Sequence, residues 1–282
     1  MIEYLKYIFL SIIQGLTEWL PISSSGQTMI FAINVFGIPP EQAFSLAIWL
    51  HLGTTLAVLL KFRNDYFKII RSLIPLISEP EEIDIKKRNW VVLATIGTAI
   101  TALPLYFLIK DYFIALTGDI ITLIVSIFLI ITGIVLLRLG RNFGKNSLTD
   151  VDENGVIKTG FIAGLIQGTS ILPGISRSGV TVSTILLEDY NQDSALKLSF
   201  LMSVPVALAS IAVDVVFGEG SVFGTLDPLV IVLTTVISFI VGYLTIEILL
   251  KIAQKIQFGY FCIVYGAIAI AIITPMIIIS SI

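Results

Sequence analysis

Apolar residues run in long blocks, and charged residues are confined to a few stretches between them. Crossing a bilayer takes roughly 20 apolar residues in a helix. Six blocks read as full spans, at about 44–62, 90–110, 117–138, 194–217, 228–250 and 258–281. Two further stretches, about 5–36 and 159–187, are apolar but interrupted by a Pro- and Gly-marked break with a polar cluster at its centre. Neither half of either stretch makes a comfortable crossing, so both are predicted to be helical hairpins that enter the membrane and turn back. Irregular backbone at that depth requires protein or a water-filled cavity around it. The predicted fold is an all-α polytopic membrane protein, a single membrane domain over 1–282 with six transmembrane helices and two re-entrant hairpins.

The interrupted stretches match each other. Gln14-Gly15 precedes Ser23-Ser24-Ser25-Gly26, and Gln167-Gly168 precedes Ser176-Arg177-Ser178-Gly179, at an offset of 153 residues throughout. Three predicted spans separate the hairpins, and an odd number of crossings turns the second copy over. An inverted-topology duplication is expected, with repeat 1 at about 5–110 and repeat 2 at about 159–250, their broken segments meeting near the midplane.

Charge supplies orientation. The stretches 61–88, 138–158 and 251–255 carry most of the Lys and Arg residues, Arg141 and Lys255 among them. The short connections 111–119 and 217–227 carry Asp111, Asp119, Glu219 and Asp227 and no basic residue. Basic loops stay in the cytoplasm, which opens the first hairpin to the outside. The charged stretch 78–89 reads as a solvated cytoplasmic connection. Composition agrees with a membrane class: 56% of residues are hydrophobic and 13% charged, about half the charged share of a soluble domain. The net charge of −3 says little. No cleavable signal peptide, Walker motif, CxxC pair or nucleic-acid signature is evident. The single Cys262 reads as a small buried hydrophobe. Trp19, Trp49 and Trp90 read as interfacial anchors or packing residues.

Ionisable groups inside a membrane are costly and usually functional. Glu18 and Arg177 stand in the two apolar hairpins, one in each repeat, and are expected to share a site. Gln14 and Glu18, four apart, share a helix face. Pro21 and Pro173-Gly174 break the incoming helices, so Ser23 or Ser24, and Ser176, can cap the outgoing ones. Two helix N-termini with free amides and a guanidinium suit a phosphate or diphosphate. For the serines the plain alternative is capping alone. His51, the one histidine, lies in a full span and reads first as a buried His bonded to a neighbouring carbonyl, and second as catalytic.

With these motifs the chain resembles the undecaprenyl-diphosphate phosphatase family, also called the bacitracin-resistance family. The likeness rests on Gln14-Gly-Leu-Thr-Glu18, Leu20-Pro-Ile-Ser-Ser-Ser-Gly26, Leu172-Pro-Gly-Ile-Ser-Arg177-Ser-Gly179 and the Leu52-Gly53 span, and covers about residues 3 to 280. It implies removal of the terminal phosphate from a polyprenyl diphosphate lipid, on the outer face of the plasma membrane. The products are the lipid monophosphate, a carrier for cell-envelope glycan assembly, and inorganic phosphate. By the same resemblance Glu18 and Gln14 match the paired acidic positions of the first motif. Ser24 matches the nucleophilic serine and Arg177 the phosphate-holding arginine. Gln14, Ser23, Ser25, Gly26, Gln27, Ser176, Ser178 and Gly179 are the substrate-binding residues the resemblance implies. A divalent cation, Mg2+ or Ca2+, with Glu18 as its ligand or as base, and a homodimer are also implied. Many members carry a histidine directly after the first motif's glycine; here Gln27 stands there, and an amide is a far poorer base. The rival class is an inverted-repeat lipid-carrier flippase or anion transporter, and a third option is a structural membrane protein.

Overall fold

The computed structural model describes residues 2–73, 80–115, 117–139, 144–218, 221–253 and 258–280. Arg141, Glu219 and Lys255, used above for orientation, lie outside the described residues. The helices are α1 (Ile2–Thr17), α2 (Ser24–Asn34), α3 (Pro40–Lys61), α4 (Arg63–Ser72), α5 (Glu82–Ala115) and α6 (Gly118–Leu139). They continue as α7 (Glu153–Gly168), α8 (Arg177–Leu187), α9 (Gln192–Phe217), α10 (Val222–Thr225), α11 (Pro228–Ala253) and α12 (Phe258–Ser280), with a single 3-10 turn at Thr169–Ile171. Among the described residues there is no strand beyond an isolated bridge between Asn146 and Tyr190. Five helices, α3, α5, α6, α9 and α11, are long and apolar enough to cross a membrane. The fold is that of an all-helical, multi-pass membrane protein. The sixth predicted span coincides with α12, whose apolar stretch Gly259–Pro275 is shorter than those five.

Two expectations about loops are corrected. Much of the charged region 61–88 is helical, since α4 follows α3 almost directly and α5 begins at Glu82 rather than near residue 90. Ile69 of α4 is buried beside Trp90 and Val91 of α5, so α4 is an amphipathic helix with one face on the bundle. The connection 111–119 also shrinks, because α5 runs on to Ala115. Hydropathy marks the hydrocarbon zone, not the helix end.

Asp65 on α4 joins three helices. Its Oδ1 accepts from Lys87 Nζ of α5 at 2.8 Å and lies 2.9 Å from Lys197 Nζ of α9. Burial works against the Asp65 carboxylate, but the two lysines outweigh it and hold the carboxyl below its usual range. A depressed folded pKa adds stability above the unfolded value of about 4, lost as pH falls through the folded one. Asp65→Asn should therefore cost about 1–2 kcal/mol at neutral pH, read as a thermal midpoint lower by a few degrees in detergent. That gap should close on acidification.

The bundle packs in crossed pairs: α7 lies on α5, α1 and α3 on α11, and α6 on α12. Gly160, Gly164 and Gly168 explain the closeness of α7 and α5. A Cβ at Gly160 would sit 2.8 Å from Trp90 O, and one at Gly168 2.9 Å from Thr98 O. Small residues at four-residue spacing let backbones approach in a membrane protein. Trp90 and Trp19, at 0% and 2% exposure, are packing residues rather than interfacial anchors. Cys262 is fully buried against Ile22.

Candidate active site

Both interrupted stretches fold as helix, break and short helix. In each, a 16-residue helix (α1, α7) is followed by a polar break and an 11-residue helix (α2, α8). Pro21 and Pro173 cannot continue the incoming helix, since each lacks an amide proton. The outgoing helices are capped alike: Ser23 Oγ accepts from Gly26 N at 3.3 Å, and Ser176 Oγ accepts from Gly179 N at 3.2 Å. In the first turn of each helix the amides have no intrahelical carbonyl, which favours an anion in front of them.

The two breaks touch. Ser23 Oγ also accepts from Gly174 N at 3.1 Å, and Ser178 Oγ donates to Leu20 O at 3.2 Å. Ser23 has φ 57°, and Gly174 has φ 102°. The left-handed region is costly for a serine. Strain of this kind gathers where the surroundings over-determine a functional turn.

Glu18 is where the halves converge. Its Oε1 accepts from the Arg177 guanidinium. Its Oε2 accepts from Ser24 Oγ at 2.6 Å and from Gln14 Nε2 at 2.8 Å, and His51 Nε2 lies 3.4 Å away. The carboxylate is 5% exposed, so a cationic partner and several donors are what make its burial tolerable. His51 Nδ1 is 2.6 Å from Ala47 O. The helical carbonyl thereby orients the ring and turns Nε2 to the acid. Both readings of His51 thus meet: it bonds to a neighbouring carbonyl and it faces the site.

A cavity of about 90 Å³ opens in front of this cluster. Glu18, Ser23, Ser24, Ser25, Ser176, Arg177 and Ser178 line it, as does His51. Gln14 sits behind Glu18, fully buried, with its Oε1 unpartnered. Gly26, Gln27 and Gly179 do not line the cavity. Gln27 Nε2 turns away to donate to Ile22 O at 3.0 Å; Gly26 and Gly179 are tight-packing positions at the tips. The sequence reading missed Thr98 of α5, Ser210 of α9 and Gln167 as lining residues. Gln167 Nε2 donates to Thr98 Oγ1 at 3.1 Å, and its Oε1 is buried and unpartnered. Its equivalence to Gln14 was the available signal.

For a divalent cation, the described residues contain no group of three or more His, Cys, Asp or Glu side chains. Glu18 is the one carboxylate lining the cavity, and both its oxygens already accept hydrogen bonds. Gln14 Oε1, on the side chain that donates to Glu18, is a further buried and unpartnered oxygen. This set fits a magnesium-type ion only when substrate oxygens and water complete the shell, the ordinary arrangement for Mg2+.

The model of the BacA family, described as bacitracin resistance protein BacA, matches residues 7–271. A protein of Methanothrix thermoacetophila called undecaprenyl-diphosphatase is 37% identical over 270 residues, covering 96% of this chain and 97% of that one. Proteins with the same name from Methanopyrus kandleri and Haloarcula marismortui are 36% and 33% identical, covering 96% and 93% of this chain and 96% and 94% of their own.

Proposed function

The chain belongs to the BacA family of bacitracin resistance proteins, and from that premise we propose that it is a polyprenyl-diphosphate phosphatase of the undecaprenyl-diphosphatase type. The observation that carries this reading is Glu18, whose carboxylate holds the Ser24 hydroxyl from one hairpin and the Arg177 guanidinium from the other at one cavity. The transporter reading gains no support from these three relatives, which bear the diphosphatase name.

In the proposed reaction the diphosphate enters the cavity and takes Arg177 as its partner. Guanidinium geometry suits two phosphate oxygens at once. Ser24 Oγ attacks the terminal phosphorus and its proton passes to Glu18 Oε2. The bond from phosphorus to the bridging oxygen breaks, and the lipid monophosphate leaves. Glu18 passes that proton to the departing monophosphate; when water then attacks the phosphoserine, Glu18 takes a water proton and hands it to Ser24 Oγ, restoring the hydroxyl as inorganic phosphate is freed. Arg177 and the first-turn amides of α2 and α8 stabilise the charge that grows on the phosphoryl oxygens. Ser23, Ser25, Ser176 and Ser178 supply the polar wall. A bound Mg2+ or Ca2+, held by Glu18, Gln14 and the substrate, would add further charge neutralisation.

The architecture proposed with this function is an inverted repeat of two re-entrant hairpins and six spans. Cross-packing supports it: α1 lies on α11 while α7, its counterpart, lies on α5. Repeat 1 spans about 5–110 and repeat 2 about 159–250. The basic stretches favour a cavity that opens away from the cytoplasm; the outer face of the plasma membrane is the proposed location and a homodimer the proposed assembly.

Phosphate release from undecaprenyl diphosphate by purified protein in detergent tests the function. Ser24→Ala is expected to lower kcat by about 10²–10⁴-fold with KM little changed. Lipid flipping in vesicles without any phosphate release would reject the phosphatase.

A further inference from the structure

A second cavity adjoins the first. Of about 170 Å³, it shares Thr98, Ala102, Ile171, Val206 and Ser210 with the site in front of Glu18. From there it runs between α5 and α9, where Ala99, Leu103, Ala209 and Val213 form its walls and the Tyr106 ring its end. Its character changes along the way. The shared end carries two hydroxyls, and the far walls are alkyl. Thr98 to Tyr106 is eight residues of helix, about 12 Å along the axis. Ala99, Leu103 and Ala209 are exposed on the flank of the bundle, on two helices long and apolar enough to cross a membrane, so the crevice has an open side.

We propose that this α5–α9 crevice is the binding subsite for the first isoprene units of the substrate, and the side door by which the lipid enters. The proposal rests on the phosphatase reading, because it needs an amphiphile whose phosphates lie at Arg177. Such a molecule must place its hydrocarbon somewhere continuous with the head-group cavity, and this crevice is continuous with it through five shared residues. Small side chains make the passage. Alanines at 99, 102 and 209 stand where larger residues would close it. An isoprenoid chain matches an alkyl-walled slot by area burial, without any polar partner.

Narrowing the slot should weaken the lipid without disturbing phosphate chemistry. Ala209→Phe and Ala99→Phe are expected to raise KM for farnesyl and undecaprenyl diphosphates at least about tenfold with kcat within about threefold, the pattern of lost uniform binding. Inhibition by inorganic diphosphate, which has no tail, should stay the same in both variants. Ile240→Phe, on the exposed face of α11, should change nothing. A benzophenone-bearing farnesyl diphosphate analogue, activated by light, should label α5 or α9 within 95–106 or 206–213. This readout needs binding alone, so it stands even where no phosphate is released, a result that would sink the phosphatase reading instead. Labelling confined to other helices, or unchanged KM in both phenylalanine variants, would overturn the subsite.

Discussion

Glu18→Gln is expected to lower phosphate release by about 10³-fold or more, measured on undecaprenyl diphosphate in detergent. General-base removal alone costs roughly 10²–10⁴-fold. The amide cannot take the Ser24 proton, and its NH2 group turns a donor toward Ser24, Gln14, His51 or Arg177 in place of an acceptor. Arg177 is also left without its anion, with its side chain 17% exposed, a costly state for a charge. Arg177→Ala should cost about 10²–10³-fold, the scale for one lost transition-state donor. Arg177→Lys should rescue little of it, because a point charge lacks the planar fork. The double variant should lose far less than the product of the two single losses, since each partner already disables the other. A Glu18→Gln protein within tenfold of the parent rate would remove Glu18 from the chemistry.

The parts of this site that sequence made readable are those whose chemistry is out of place where it stands. Glu18 and Arg177 are charges in apolar stretches, and Pro21 and Pro173 interrupt helices that hydropathy would continue. Their meeting followed from the duplicated Gln-Gly and Ser-x-Ser-Gly spacing, which tied two distant stretches to one geometry. Thr98 and Ser210 were hidden for the opposite reason, and His51, with a catalytic role only as its second reading, could not be placed at the site. Each sits in a long span where one polar residue is unremarkable, and only the rotation of α3, α5 and α9 brings it to the cavity. Gln27 shows the same limit in reverse. It occupies the motif position after Gly26, yet the left-handed turn at Ser23 and the bond to Ile22 O carry its side chain away from the cavity. Helix α4 escaped because its ten residues mix charged and apolar positions and look like a loop, although one face, at Ile69, is buried on the bundle.

Gly26→Ala should cost at least about 10²-fold in kcat/KM while leaving a folded, helical protein. A Cβ built at Gly26 falls 2.9 Å from Gly174 N and 3.0 Å from Gly174 Cα, in the break between α7 and α8. Neither neighbour is a flexible side-chain end, so relief must come from moving a backbone. Gly174 has little room to give: its own missing Cβ would run into Val125 O, its φ is 102°, and its amide is bound to Ser23. The added methyl therefore parts the two tips. Ser24 is the next-but-one residue on one side, and Arg177 is three residues on at the other, so the serine hydroxyl and the guanidinium separate by the same wedge. A misplacement of about 1 Å at reacting groups costs on the order of 10²-fold, whereas overpacking of one methyl costs stability of only about 1–3 kcal/mol. Activity should fall much further than the thermal midpoint in detergent, and circular dichroism should keep its helical signal. Gly224→Ala is the matched control, since a Cβ there meets nothing within 4 Å, and it should behave as the parent. If Gly26→Ala retained full turnover, the contact between the two helix breaks would not be what aligns Ser24 with Arg177.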